Sequence, residues 1–216
     1  MRESRCGWCG DAQIVLVKVA PDKPGVAVAC QCVPLDLRAQ WTGIPERFKA
    51  VSFDNFTYMK GKENAFKAAM RWSGETSKVL SGPPGRGKTH LMCAMGIREI
   101  ERGKQVQFVE ITRFLDGLKA RFGTDQVQPY FDKIANVQLL LMDDLGAEQD
   151  GSWVEERLRA LINHRYSRQL PTVITTNMGY SETRQRLGEA VASRMTEWEW
   201  ISVEGIDVRP TLAVRA

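Results

Sequence analysis

An α/β domain built on a parallel sheet is the expectation for this 216-residue chain, and three observations lead to it. From residue 78 onward, short strand-like runs alternate with segments of helical period. The run Leu139-Leu140-Leu141-Met142 is apolar without alternation, as a strand covered on both faces must be. A glycine-rich loop, Gly82-Pro83-Pro84-Gly85-Arg86-Gly87-Lys88-Thr89, stands between an apolar run and a helical segment, which is the strand–loop–helix order of a phosphate-binding loop.

Residues 1–42 read as a separate unit. Four of the five cysteines, Cys6, Cys9, Cys30 and Cys32, fall within it. Between the pairs lie Ile14-Val15-Leu16-Val17-Lys18-Val19, the turn Pro21-Asp22-Lys23-Pro24-Gly25, and Val26-Ala27-Val28-Ala29. That pattern predicts two strands joined by a tight loop. So short a unit cannot bury an adequate core, and a metal would supply the missing stability. Four thiolates suffice for one tetrahedral zinc ion with no position left for water, hence a structural, zinc-ribbon-like site. Two thiol pairs without metal, or a redox pair, are the other readings.

Gly43-Ile44-Pro45 marks the junction to the α/β domain, 43–216. Strands are predicted at 78–82, 105–109, 137–143, 172–176 and 199–203. Helices are predicted at 62–72, 88–102, 113–122, 152–169 and 182–196, with Thr112 and Ser181 as N-caps. Cys93 falls on the helix after the loop and reads as a small core hydrophobe. His90 and His164 have no cysteine neighbours and are not read as ligands of that metal.

Each position of the loop has a mechanical task. Gly82, Gly85 and Gly87 let the backbone curl so that successive N–H groups face an anion, and the next helix presents its positive end there. Lys88 can reach the β- and γ-phosphates of a nucleoside triphosphate, and the Thr89 hydroxyl can ligate magnesium. The strand at 137–143 ends in Asp143-Asp144, the Walker B arrangement: one acid on the magnesium side, the neighbour placed to orient or deprotonate water. Asn177, at the tip of the β-branched strand 172–176, would sit beside these acids if the strands are adjacent, or else caps its own loop.

Composition narrows the class. The chain is 43% hydrophobic and 26% charged, with no apolar run near the roughly 20 residues that cross a bilayer. Its N-terminus lacks a signal-peptide core, so a cytoplasmic, non-membrane protein is expected. A formal charge of +4 permits nucleic-acid contact without requiring it. Arg157, Arg159, Arg165 and Arg168 share one predicted helix, and Arg184, Arg186 and Arg194 the next; a solvated face is the plainer reading of both. No Asn-Lys-x-Asp base-reading motif appears, which argues against a GTPase, and no acceptor lid argues for a small-molecule kinase.

The chain resembles AAA+ ATPases of the DnaC/DnaI-type helicase-loader group and the related IstB-type transposition helpers. The resemblance rests on Phe53-Asp54-Asn55-Phe56, GPPGRGKTHL at 82–91, LLLMDDLGAE at 139–148, TVITTN at 172–177, Ala192-Ser193-Arg194-Met195 and Asp207-Val208-Arg209. It implies an AAA+ core with a five-stranded parallel sheet, ATP and magnesium as ligands, and self-association through the ATP sites. Nucleotide contacts would run from Gly82 through Pro83, Pro84, Gly85, Arg86, Gly87, Lys88 and Thr89 to His90, with Asp143 on the magnesium side. Lys88, Asp144, Asn177 (sensor 1), Arg194 (a finger into the neighbouring subunit's site) and Arg209 (sensor 2) would be the catalytic set. An arginine finger stabilises charge spread over the γ-phosphate in the transition state. Asp144 stands where such ATPases more often carry Glu, so slow turnover is expected. The chain stops shortly after Arg209, so the C-terminal helical lid is expected to be missing or truncated. Phe53 and Phe56 would lie near the adenine, for stacking or for plain core packing.

The cysteine unit resembles the N-terminal module of DnaI-like loaders and implies docking on a replicative helicase. The expected function is therefore an ATP-dependent helicase loader with single-stranded DNA contact, for which Lys119 and Arg121 are candidates. A transposition helper that binds duplex DNA, and a nucleotide-switched adaptor with negligible turnover, are the alternatives.

Overall fold

The computed structural model describes Cys6, Ala12, residues 14–17, 26–30, Cys32, 42–56, 61–148 and 151–207. Cys9, the 18–25 connection and Arg209 lie outside the described residues, as does the C-terminal segment 208–216 on which the lid expectation falls. Two short strands, β1 (Ile14–Val17) and β2 (Val26–Ala29), pair antiparallel with Ile14 opposite Ala29, the hairpin the sequence predicts.

The α/β domain follows. Its strands are β3 (Lys78–Ser81), β4 (Val106–Glu110), β5 (Leu139–Leu145), β6 (Thr172–Thr176) and β7 (Glu199–Ser202). They form one sheet in the order β4-β5-β6-β3-β7, parallel throughout. The helices are α1 (Glu63–Arg71), α2 (Lys88–Glu101), α3 (Ile111–Lys119), α4 (Val127–Ala135), α5 (Ser152–Ser167), α6 (Tyr180–Leu187) and α7 (Glu189–Met195).

Strand side chains alternate between two covered faces, as the pleat demands. Leu80, Phe108, Leu139, Leu141, Val173 and Ile201 join α1 and α2 in one core. Val79, Val109, Leu140, Met142 and Ile174 join α3 to α7 in the other. This is why β5 carries no polar alternation until its tip: residues 139–142 are all buried, and exposure begins at Asp143. Cys93 is fully buried in the first core, where burial drives its thiol pKa far up, so it behaves as the small hydrophobe expected.

Several element boundaries differ from expectation, each for a local reason. Helix α4 was not foreseen. Pro129 falls in its first turn, where a missing N–H loses no hydrogen bond, and Val127, Tyr130, Phe131 and Ile134 supply an apolar stripe. Helix α3 begins at Ile111 with Glu110 as N-cap, and α6 begins at Tyr180 with Gly179 as N-cap. Thr112 and Ser181 are therefore inside their helices and not caps. The segment 182–196 is two helices, because Gly188 adopts φ 82° between them.

Arg165 corrects the solvated-face reading of its helix. It is 1% exposed. Its guanidinium donates to Ala135 O (2.9 Å), Val137 O (2.9 Å), Pro171 O (2.6 Å) and Thr172 Oγ1 (2.8 Å). Burial lowers its pKa to about 9, so it remains charged at neutral pH. The cation ties α5 to the end of α4 and to the starts of β5 and β6.

Candidate functional site

The tips of β3, β5 and β6 meet at one end of the sheet. Ser81 pairs with Thr176, and Met142 with Ile174, so the glycine-rich loop, the two acids and Asn177 emerge side by side. Adjacent strands were the condition for Asn177 to reach the acids, and the register meets it.

The loop after β3 is shaped around an interior. Gly87 takes φ 93° as N-cap of α2, with the Phe56 ring 3.2 Å from where a Cβ would stand. At Gly82 (φ 141°) a Cβ would lie 2.5 Å from Val203 O, because the chain leaving β7 passes directly over the loop and bonds it through Val203 N–H to Ser81 O (2.7 Å). A side chain is opposed by backbone at Gly82 and by the Phe56 ring at Gly87, a constraint a surface turn would not need.

Lys88 is buried, 7% exposed. Its ammonium donates to Gly82 O (2.7 Å), Pro83 O (2.8 Å) and Asn177 Oδ1 (2.8 Å). The amide of Asn177 donates in turn to Asp144 Oδ1 (3.3 Å). The Thr89 hydroxyl donates to Asp143 Oδ1 (2.9 Å). One chain of contacts thus runs through Lys88, Asn177 and Asp144, and a second through Thr89 and Asp143. Burial raises the pKa of Asp143, while hydroxyl donation from Thr175 and Thr89 opposes that rise and the Asp144 charge adds to it.

Asp144 has φ 65° and lies in a register shift between Met142 and Leu145. Asp and Asn tolerate the left-handed region better than other side-chain-bearing residues. The short acid in place of the expected Glu is therefore consistent with its backbone. Pro83 and Pro84 are exposed at the loop's crown, and the Nε of Arg86 is buried with no hydrogen-bond partner among the described residues.

His90 stands in the first turn of α2. Its ring packs edge-on to Phe56 (5.2 Å) and its Nε2 lies 3.4 Å from Ser52 O. Phe56 is buried and stacks on Phe66 (5.4 Å), and Phe53 meets Phe66 edge-on (5.8 Å). Of the two readings for these phenylalanines, the structure favours core packing. Arg194, on α7, lies over the Tyr166 ring (5.7 Å).

The residue set fits a triphosphate and a hard cation. The loop offers an anion cradle and a buried ammonium, and Thr89 with Asp143 offers oxygen donors of the kind magnesium prefers. In the N-terminal unit, the sulfurs of Cys6, Cys30 and Cys32 all lie within 4.8 Å of one another, Cys6 and Cys30 at 3.6 Å. Four sulfurs about 2.3 Å from a central zinc ion are spaced in that way. The donor set therefore fits zinc, with Cys9 the fourth ligand expected from sequence.

Sequence reasoning passed over several residues at the site. Thr175 contacts both acids: its hydroxyl donates to Asp143 Oδ1 (2.6 Å) and accepts from the Asp144 N–H (2.9 Å). Its only signal in sequence was a hydroxyl within an otherwise buried strand. Lys62, 1% exposed, lies over the Phe56 ring (6.0 Å), and burial lowers its pKa. Glu148 accepts from Gly146 N–H (2.9 Å) and Arg186 Nε (3.2 Å), pinning the connection after β5 to α6.

A second surface feature stands apart. Phe122 is 58% exposed and meets the Trp153 ring at 5.2 Å; Lys119 lies over Trp153 (5.5 Å) and Arg121 over Tyr130 (4.2 Å). No described helix is long and apolar enough to cross a membrane.

The family model described as "IstB-like ATP binding protein" matches residues 50–196. The replicative helicase loader DnaC of Escherichia coli K12 is 30% identical over 163 residues, covering 71% of this chain. The chain spans 66% of the length of that relative. Among solved structures, the DnaC helicase loader superposes with a TM-score of 0.66 at 24% identity, covering 74% of this chain and all of that one. A DnaI structure superposes with a TM-score of 0.64 at 21% identity, covering 76% and 96%.

Proposed function

The chain belongs to the IstB-like ATP-binding protein family, with DnaC-type helicase loaders among its relatives, and on that premise we propose that it is an ATP-dependent helicase loader. The carrying observation is the joined pair of contact chains, Lys88–Asn177–Asp144 and Thr89–Asp143, at the tips of three neighbouring strands. Lys88 would exchange its present oxygens for those of the β- and γ-phosphates, and Thr89 and Asp143 would hold magnesium. The ion, when bound, supplies charge neutralisation. Lys88 donates to Gly82 O, Pro83 O and Asn177 Oδ1, so engaging phosphate would draw it from these oxygens, that of Asn177 among them. Asn177 and Asp144 can then orient a water and accept its proton. Gly82 to His90 form the rest of the nucleotide contact.

The loading role draws on the named relatives, and it makes a replicative helicase the partner. The cysteine unit, 1–42, would hold zinc through Cys6, Cys9, Cys30 and Cys32 and dock on that helicase. Arg194 would act on a neighbouring subunit's nucleotide and Arg209 near the γ-phosphate, so that hydrolysis, slow alone, reports assembly. The patch of Phe122, Trp153, Lys119 and Arg121 combines an exposed ring and a half-buried one with cations, the pairing on which single-stranded DNA stacks. The protein would work in the cytoplasm.

Calorimetry tests the core of this reading: ATP with magnesium should bind the intact, zinc-replete chain, and an absence of heat would sink it. Size-exclusion chromatography with a replicative helicase, with and without ATP, tests the rest. ATP-dependent co-elution supports the loader, whereas binding to duplex DNA with a transposase and no co-elution overturns it.

A further inference from the structure

Thr175 is 1% exposed, in the middle strand of the sheet, beside Val173 and Ile174. A hydroxyl in such a place needs partners, and both of its partners belong to the acid pair. It accepts the Asp144 N–H at 2.9 Å, so its single proton goes to Asp143 Oδ1 at 2.6 Å. Thr176 does the same one residue on, donating to Leu145 O (2.7 Å) and accepting from Met178 N–H (3.0 Å). Between them the two threonines bracket the register shift that holds Asp144 at φ 65°.

Asp143 Oδ1 receives two hydroxyls, from Thr175 and from Thr89. They are not equivalent. Thr89 sits on α2, at the loop, and its hydroxyl is the one the nucleotide-site reading assigns to magnesium. A hydroxyl that gives a lone pair to a cation keeps its proton for Asp143, but its orientation must then serve the ion as well. Thr175 sits on a strand and has nowhere else to send its proton. It is the donor whose orientation is fixed by the sheet and owes nothing to the ion.

We propose that Thr175 is a positioning residue of the nucleotide site: its one hydroxyl sets the carboxylate of Asp143 for magnesium and the backbone of Asp144 for water at the same time. This rests on the reading of the site as one for ATP and magnesium. It couples the two acids, so that neither can be moved without the other.

The test compares wild type, Thr175→Val, which keeps shape and removes the hydroxyl, and Thr175→Ser, which keeps the hydroxyl. ATP binding is titrated by calorimetry in EDTA and across a magnesium series, and hydrolysis is measured alongside. Thr175→Val should bind ATP in EDTA as wild type does and need about tenfold more magnesium for the metal-dependent gain, the scale of one hydrogen bond to a charged group. Its kcat should fall by about tenfold or more with KM for ATP at saturating magnesium little changed. Thr175→Ser should restore both. A wild-type magnesium requirement in Thr175→Val, or an equal loss in Thr175→Ser, overturns the proposal. Should Thr175→Val not fold, Thr175→Ala with the same serine rescue decides. Wild type binding no ATP under either condition would overturn the nucleotide-site reading itself, a result separable from the variants' behaviour.

Discussion

At the residue scale, chemistry here depends on conformations that side-chain type alone does not announce. Asp144 sits in left-handed backbone, where Asn is also at ease but Ala is strained by about 1 kcal/mol. Asp144→Asn should fold as wild type, bind ATP within a few-fold, and lose hydrolysis by about 100-fold, within the range of a lost general base. Asp144→Ala should lose hydrolysis similarly and melt lower as well. Hydrolysis unchanged in Asp144→Ala would refute the role, and thermal melts with single-turnover assays separate the two effects. His90 gives a pH signature. Burial holds its pKa below the ordinary 6.5, the nearby Lys62 charge adds to this, and the bond with Ser52 O opposes it. A depressed folded pKa means stability present above 6.5 and lost as pH falls through the lower, folded value. Melting temperature should therefore decline from pH 7 toward pH 5, and His90→Gln should flatten that decline.

At the scale of elements, Arg165 is the tie that holds three of them. Its four hydrogen bonds satisfy three carbonyls and the Thr172 hydroxyl, at the end of α4 and the starts of β5 and β6. Arg165→Met fills the space but leaves buried acceptors unpaired, and should lower unfolding free energy by about 3 kcal/mol or more. Arg165→Lys keeps the charge without the planar fork and should fall between. Denaturant melts check both; a Met variant as stable as wild type would mean that water replaces the cation. The arginines of this helix looked alike in sequence, because a helical repeat does not say which residue meets the ends of neighbouring strands. The same applies to α6 and α7, read as one helix until Gly188 turned the chain. The glycine-rich loop, by contrast, was legible as a loop, because Gly82, Gly85 and Gly87 take positive φ, a geometry that few residues other than glycine allow.

At the scale of the whole molecule, the proposed work is divided between the cysteine unit and the sheet. One zinc ion per chain is expected by elemental analysis. Removing it with a chelator, or replacing Cys32 by Ser, should abolish co-elution with a helicase and leave ATP affinity within about twofold, since no site residue of the sheet is a zinc ligand. Loss of ATP binding on chelation would show instead that the two parts are not separable.

The sequence by itself determined the parallel αβ class, the loop from Gly82 to Thr89, the acids at the end of β5 and the candidacy of Asn177, because each is a local pattern with one mechanical use. Only the tertiary structure decided that Lys88 is held by Asn177, that Thr175 grips both acids, and that Arg165 is buried. Those are meetings between strands and helices far apart in the chain, and strand order and register, not residue type, bring them together.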